Sequence, residues 1–304
     1  MKFPDSLRRG LHAGLGLLLL ACGASAAFAR GESSVWVLKG EHNTVYLAGS
    51  VHALPKEHAQ LPEPLERAYA ASKTIVMEVD LDDLDPMEAV RFVTTEGTLP
   101  PDKTLSDVIG ADKFASVTQR AASIDLPEFA LAKLEPWAAA MVLTQVALMK
   151  SGFDPQLGVD MQIVERAKAD HKPVEGLETV LDQLGIFDER SVEEQTKFLL
   201  ESADDVPKMR DDLGRLVAAW RAGDLRGLER EFLKERDQAP GLYDALLGVR
   251  NRKWLPQIEA LLKRDEDVLV VVGTLHYVGH DGLLALLKAA GHRAVPLRAA
   301  KSAR

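Results

Sequence analysis

The chain has 304 residues, of which 37 are basic and 46 are acidic, so its formal net charge is −9 at pH 7. This acidic balance disfavours nucleic-acid binding, because phosphate backbones are bound mainly by lysine and arginine. The chain has one cysteine, Cys22, which excludes an intrachain disulfide and a zinc site built on several thiolates.

The first 29 residues have the pattern of a secretory signal peptide. Arg8 and Arg9 form a basic start, the apolar stretch 11–20 follows, and Ala27-Phe28-Ala29 is a small-x-small cleavage site. The apolar stretch is too short for a membrane span, which needs about 20 apolar residues. Cleavage takes away three basic residues and one acidic residue, and residues 30–304 keep 34 basic and 45 acidic ones. We expect this mature chain to fold as a single domain.

A lipoprotein is the alternative interpretation of the same segment. Leu19-Leu20-Ala21-Cys22-Gly23 resembles a lipobox, in which case the leader is 1–21 and acylated Cys22 is a membrane tether. Both interpretations predict export, to the periplasm or as an outer-membrane lipoprotein.

The start of the mature chain predicts a βαβ unit. Residues 34–40 and 44–48 have the pattern of a β-hairpin. Residues 63–72 have helical periodicity, and the apolar run 74–80 predicts a third strand. Strand, helix and strand at this spacing indicate a parallel pair of strands with a crossover helix.

The middle of the chain, residues 86–247, is mostly helical by periodicity, apart from a short strand and turn at 171–179. A strand pattern returns at 267–273, followed by a helix at 282–290 and a last short strand at 294–297. The sequence therefore predicts an α/β fold in which two β-α halves form a split sheet core, with a helical insert between them.

One short pattern occurs twice, near the two ends of the mature chain. Gly49-Ser50-Val51-His52 and Gly273-Thr274-Leu275-His276 each follow a β-branched apolar run, so each places a histidine just after a buried strand. Open α/β sheets have their sites at the carboxyl ends of strands. We expect the paired Gly-x-x-His turns to bring both imidazoles to one centre, which predicts a metal site or an acid/base site.

Glu78 is the carboxylate that best completes this centre. It lies among apolar residues of the third predicted strand, where a carboxylate is costly to bury unless it meets a metal, an imidazole or hydrogen-bond donors. With His52 and His276 it forms a His/His/Glu set suited to Mn²⁺, Co²⁺ or Zn²⁺; a solvent-facing strand end is the alternative. Asp80 is less favoured, because the acidic residues after it have the pattern of a solvated loop.

Other polar residues are candidates for substrate binding. Arg250 and Asn251, on the helix before the second repeat, can clamp a carboxylate or a carbonyl of a substrate. Glu178 is either a site carboxylate or a charge that complements a helix dipole. His280 is an auxiliary ligand or a residue of a helix-start loop.

Together these residues resemble the TraB/PrgY/GumN family, whose animal relatives are the TIKI Wnt-inactivating metalloproteases. The resemblance covers about residues 35–297 and rests on the order and spacing of several short segments. These segments are Gly49-Ser50-Val51-His52, Val76-Met77-Glu78, Gly158-Val159-Asp160, Gly176-Leu177-Glu178-Thr179 with Gln183, Arg250-Asn251 with Trp254, and Gly273-Thr274-Leu275-His276 with Gly279-Asp281-Gly282-Leu283.

The resemblance implies a fold, shared with erythromycin esterase-like and ChaN-like proteins, in which two β-α halves bring both Gly-x-x-His turns to one cleft. It implies that His52, Glu78 and His276 are the active-site positions. For TIKI-like members it implies Mn²⁺- or Co²⁺-dependent proteolysis. The chain departs from the family pattern at His280, where an acid or a proline is more common, and it lacks the cysteines of the animal proteins.

We therefore predict an exported metal-dependent hydrolase, a peptidase that acts on a peptide or protein substrate. His52 and His276 are its expected metal ligands, and Glu78 is a ligand or the general base. One alternative is a metal-free hydrolase of the erythromycin esterase kind, with His and Glu as acid/base catalysts. Another is a non-catalytic envelope protein that sequesters a peptide. The sequence has no Gly-x-Ser-x-Gly elbow, P-loop or dinucleotide fingerprint, so serine-hydrolase, NTPase and dehydrogenase functions lack support.

Overall fold

The computed structural model describes residues 33–80, 86–230 and 240–298. The predicted signal peptide and Cys22 lie outside these residues. Within the described ranges, no helix has both the length and the apolar character needed to cross a bilayer.

A six-stranded mixed sheet forms the centre of the fold. Its strands are β1 (Val35–Lys39), β2 (Thr44–Ser50), β3 (Thr74–Val79), β4 (Val174–Glu178), β5 (Val268–Gly273) and β6 (Val295–Pro296). They are arranged in the order β4-β3-β5-β2-β1-β6. Strands β4, β3, β5 and β2 run parallel to one another; β1 is antiparallel to β2, and β6 at the edge is antiparallel to β1. The predicted α/β class is confirmed.

Helices surround the sheet and fill the long middle of the chain. They are α1 (Glu63–Ala71), α2 (Pro86–Thr95), α3 (Leu105–Ile109), α4 (Ala111–Ala122), α5 (Pro136–Lys150), α6 (Val159–Ala169), α7 (Val180–Asp188), α8 (Val192–Asp205), α9 (Met209–Ala222), α10 (Pro240–Tyr243), α11 (Arg250–Leu261) and α12 (Leu283–Ala289). Residues 225–230 are also helical. A π-helical segment, Asp244–Val249, joins α10 to α11.

Both faces of the sheet are covered. All six residues of β5 are buried, and they alternate between two cores as the pleat requires. Leu269 and Val271 pack on the face covered by α1, α6 and α9, where Trp220 is fully buried. The opposite face is covered by α11 and α12, with Trp254 at its centre. This two-sided burial explains why the β5 sequence is a continuous apolar run.

The insert has an apolar core of its own, away from the sheet. Buried residues of α3, α4, α5 and α8 pack together, with Leu105, Val117, Leu143 and Leu199 fully enclosed. The insert also contributes a strand, because β4 pairs with β3. The insert therefore packs its helices beside the sheet and also adds one strand to the sheet.

The strand register places the functional candidates at one edge. Ser50 of β2 pairs with Gly273 of β5, and Met77 of β3 pairs with Val271 of β5. Val79 of β3 pairs with Glu178 of β4. Four neighbouring parallel strands therefore end side by side, and the residues at and after their carboxyl ends face a common region.

Candidate functional site

His52 lies just after β2 and is paired with a carboxylate of α6. Its Nδ1 is 2.9 Å from Oδ2 of Asp160, which stands in the first turn of α6. The His52 side chain is 68% exposed, whereas that of Asp160 is 13% exposed. The contact orients the imidazole and turns its other nitrogen, Nε2, away from Asp160 and towards β5.

Close backbone contact holds α6 against the His52 turn. The amide of Val159 donates to the carbonyl of Val51 over 3.0 Å. A Cβ on Gly158 would stand 2.2 Å from the carbonyl oxygen of His52, so no larger residue fits without displacing one of the two segments. Glycine at this position therefore sets the distance between His52 and Asp160.

The environment of His52 favours its protonated form. The negative charge of Asp160 and its hydrogen bond raise the pKa of His52 to about 9, with a further contribution from Glu78. His52 is therefore a stronger base than a free imidazole once it has lost its proton.

Glu78 is surrounded by hydrogen-bond donors. The amide of Gly273 donates to Oε1 over 2.7 Å. Nε2 of Gln183 donates to Oε2 over 3.1 Å, and Arg250 donates to the same oxygen. Burial by itself would raise the pKa of Glu78, but the charges around it and the Gly273 amide lower the pKa to about 2. Glu78 is therefore an ionised and firmly held carboxylate.

Arg250 joins the carboxylates of two strands. Its Nε and Nη2 donate to Oε1 of Glu178 over 2.9 Å and 2.6 Å, and Nη2 also pairs with Glu78. The indole of Trp254 lies 4.6 Å from the guanidinium carbon and donates to Glu178 over 3.2 Å. Arg250, Glu78 and Glu178 are each about 10% exposed in their side chains, so the cluster is almost fully removed from water.

His276 is the most enclosed member of the site. Its Nδ1 is 2.7 Å from Oδ1 of Asn251, whose amide nitrogen donates to the carbonyls of His276 and Asp281. Nη1 of Arg250 lies 3.1 Å from the His276 Nε2, and because a guanidinium only donates, Nε2 must accept. Burial lowers the pKa of His276 to about 3, against the raising effect of Glu78. The ring is therefore neutral, with its proton on Nδ1.

His52 and Glu78 line a small cavity. Nε2 of His52 and Oε1 of Glu78 lie 3.4 Å and 3.2 Å from the point that a Cβ on Gly273 would occupy. His276 Nε2 lies 3.7 Å from the same Glu78 oxygen. The cavity has a volume of about 250 Å³ and is lined by His52, Met77, Glu78, Val79, Asp160 and Gln183.

Arg250 and Asn251, which the sequence predicts to bind substrate, are buried behind this cavity. Arg250 is 8% exposed and engaged by Glu78 and Glu178, and Asn251 is 1% exposed behind the His276 ring. His280, the auxiliary candidate, is 75% exposed and pairs with Asp281 at 2.9 Å. In this structure His280 therefore contacts the adjacent residue Asp281 and no residue of the cavity.

Two residues of the site were not predicted as members from the sequence. In the sequence, Asp160 and Gln183 belong to the short segments that carry the family resemblance, but no pattern marks them as site residues. Asp160 follows Gly158 in the first turn of a helix, where an acidic residue is common for dipole reasons alone. Gln183 has no sequence signal beyond its position on an apolar helix, and only the contact with Glu78 identifies it.

The donors as arranged do not fit a bound metal ion. Ligands need free lone pairs, but Nε2 of His276 accepts from Arg250, and its Nδ1 carries the proton. Oε2 of Glu78 accepts from both Gln183 and Arg250, which leaves only a lone pair on Oε1. Across the part of the chain that the structure describes, no group of three His, Asp or Glu side chains is placed to hold a metal. The guanidinium of Arg250 supplies the positive charge between the two buried glutamates.

Comparison with known proteins assigns the chain to a family. The sequence model of the TraB/PrgY/gumN family matches residues 34–296. An uncharacterised protein named YbaP from Shigella flexneri is 24% identical over 275 residues, which cover 85% of this chain and 95% of the relative. YbaP of Escherichia coli (strain K12) is 24% identical over 254 residues, which cover 80% of this chain and 87% of the relative. The resemblance seen in the sequence is confirmed, and the chain belongs to the TraB/PrgY/gumN family.

Proposed function

We propose that this protein is an exported hydrolase of peptide bonds in which His52 transfers the proton and no metal takes part. The observation that carries the proposal is the His52–Asp160 pair, which opens onto a cavity beside the ionised Glu78. The two Gly-x-x-His turns, one from each β-α half, work as an unequal pair. One histidine is accessible and reactive, and the other is buried and structural.

His52 has the geometry of a general base. Asp160 holds Nδ1, so a neutral His52 presents its Nε2 lone pair to a water molecule in the cavity. Nε2 takes a proton from this water while the water oxygen attacks the carbonyl carbon of the scissile bond. The carbon–nitrogen bond then breaks, and the protonated His52 returns the proton to the leaving amine.

Glu78 has a different role in this proposal. A carboxylate with a pKa of about 2 and three donors is a poor proton acceptor at neutral pH. Its negative charge instead stabilises the protonated His52 that forms during the reaction. Arg250 pairs with Glu78 and donates to Nε2 of His276, and burial favours the neutral form of His276, so these groups are held in place before substrate binds.

A metal-dependent peptidase that uses Mn²⁺, Co²⁺ or Zn²⁺ is the second candidate. It is favoured by one observation: His52 Nε2, Glu78 Oε1 and the His276 ring all approach Gly273. This function requires Arg250 to release the Nε2 of His276. Metal content by elemental analysis and the effect of a chelator on activity separate the two candidates.

The test is cleavage of a fluorogenic peptide library by the purified protein, without added metal and after chelator treatment. We expect cleavage that survives chelation and is lost in His52→Ala. The matched control is His280→Ala, which removes an exposed histidine and should leave cleavage unchanged. Cleavage that persists in His52→Ala would reject the proposal, and chelator-sensitive cleavage would favour the metal candidate. Tight peptide binding without cleavage would indicate a sequestering protein instead.

A further inference from the structure

The small cavity beside His52 offers few hydrogen-bond donors to a bound molecule. Two of the six described side chains that line it, Met77 and Val79, are apolar. Two others are carboxylates, which only accept hydrogen bonds when they are ionised. The remaining two are His52, whose proton moves in the proposed reaction, and Gln183. Gln183 is therefore the one neutral donor among the described side chains that line the cavity.

Hydrolysis by His52 creates a negative charge that needs such a donor. As the water oxygen bonds to the carbonyl carbon, the electron pair of the C=O π bond moves to the carbonyl oxygen, and His52 takes the water proton. The two lining carboxylates repel the oxyanion that forms. Arg250 is already engaged by Glu78 and Glu178, and it does not line the cavity. In enzymes that transfer acyl groups, one well-placed donor to the oxyanion raises kcat about 10²–10³-fold.

The start of α7 fixes the position of Gln183. Thr179 caps this helix directly after β4, and its side chain and that of Asp182 form a capping box. The next residue after Gln183, Leu184, is buried and packs in a cluster with Trp137 of the insert. The backbone on both sides of Gln183 is therefore held, and its side chain lies over the end of β3.

The contact with Glu78 fixes the orientation of the Gln183 amide. Glu78 is ionised, because the groups around it lower its pKa to about 2, and an ionised carboxylate only accepts. The group that lies 3.1 Å from its Oε2 must therefore be the amide nitrogen of Gln183 and not the amide oxygen. This nitrogen carries a second N–H, for which the described residues supply no acceptor. The second N–H is thus left for a molecule in the cavity.

We propose that Gln183 is a catalytic residue of this site, which donates its second N–H to the carbonyl oxygen of the scissile bond and stabilises the oxyanion. The inference rests on the proposed hydrolysis by His52. His52 Nε2 approaches the Gly273 position on the Oε1 side of Glu78, whereas Gln183 contacts Oε2, so the base and the donor flank one carboxylate. When the oxyanion re-forms the C=O bond, the carbon–nitrogen bond breaks and the leaving amine takes the proton from His52.

The test compares kcat and KM for a fluorogenic peptide, without metal, in the unmodified protein and in Gln183→Met. Methionine has a similar length but no N–H. We expect kcat to fall about 10²–10³-fold and KM to change little, because the hydrogen bond strengthens only as the oxyanion forms. Gln119→Met is the matched control, since Gln119 is an exposed residue of α4 that does not line the cavity, and it should keep full activity.

A second substrate separates oxyanion stabilisation from a purely structural role. It is the same peptide with sulfur in place of the scissile carbonyl oxygen, because sulfur is a weak hydrogen-bond acceptor. The unmodified protein should prefer the oxygen peptide, and Gln183→Met should lose most of this preference. Equal slowing of both peptides in Gln183→Met, or unchanged cleavage in this variant while His52→Ala is inactive, would overturn this inference and leave the role of His52 intact. Absence of metal-free cleavage by the unmodified protein would overturn both.

Discussion

Nη1 of Arg250 donates a hydrogen bond to Nε2 of His276 over 3.1 Å, so the histidine of the second Gly-x-x-His turn is held by an arginine side chain. The same guanidinium pairs with Glu78 and Glu178. One cation therefore contacts three neighbouring groups at once. The four groups form a buried charged cluster, and His52 lies beside Glu78 on its more exposed side.

Loss of Arg250 should be strongly destabilising. Arg250→Gln leaves two buried glutamates without their cation, and breaking a buried ion pair costs about 3–5 kcal/mol. The control is Arg252→Gln on the same helix, whose pair with Asp244 is half exposed and should cost about 0–1 kcal/mol. Urea unfolding monitored by circular dichroism measures both. Equal losses in the two variants would contradict the assigned role of Arg250.

The pH dependence of catalysis should report the ionisation of His52. If the neutral form is the base, kcat/KM rises about tenfold per pH unit and levels off near pH 9, the raised pKa of His52. Asp160→Asn keeps the side-chain shape but removes the charge, so the pKa should fall towards its usual value of about 6.5. The plateau should then begin at a lower pH. An unchanged profile in Asp160→Asn would show that another group controls the rate.

A methyl group at position 158 should separate His52 from Asp160. In Gly158→Ala the new Cβ would meet the His52 carbonyl at 2.2 Å, so α6 and the His52 turn must move apart. We expect lost activity and a stability loss of about 1–3 kcal/mol. Gly214→Ala, in α9, is the control, because its Cβ meets no atom within 4 Å. That variant should gain about 0.5–1 kcal/mol and keep full activity.

Folding stability should fall as the pH drops below about 6.5. The pKa of His276 is lower in the folded than in the unfolded state, so the unfolded chain binds more protons between about pH 6.5 and pH 3. Stability from this group is present above pH 6.5 and is lost as the pH falls through that window. Urea midpoints measured from pH 6.5 to pH 4, where His52 is protonated in both the folded and the unfolded state, should show the loss in the unmodified protein and less of it in His276→Gln. His280→Gln, which changes an exposed histidine, should keep the full loss; a flat profile in the unmodified protein would contradict the neutral assignment of His276.

Much of the architecture could be predicted from local sequence. The apolar run of β5 indicated a strand covered on both faces, and the glycine after it indicated where the strand ends. These strand predictions place His52 and His276 at one sheet edge, because parallel strands end together. The structure brings them, with Glu78, to a common region.

The contacts of Arg250 could not be predicted in this way. Its partners Glu178 and Glu78 are 72 and 172 positions away, and nothing in the helical pattern distinguishes a buried arginine from a surface one. The contact between Asp160 and His52 could not be predicted for a similar reason, because the two residues are 108 positions apart. Tertiary packing therefore determines that His52 pairs with a carboxylate and that His276 contacts an arginine.

Histidine-selective NMR titration tests most directly whether His52 and His276 differ in pKa and tautomer. Ring ¹⁵N shifts of the isotopically labelled protein, assigned with His52→Ala and His276→Gln, give the pKa and tautomer of each imidazole. We predict that His52 titrates well above 6.5 and that His276 stays neutral, protonated on Nδ1, from pH 8 to below pH 5. Titration of both rings together near pH 6.5 would contradict the account.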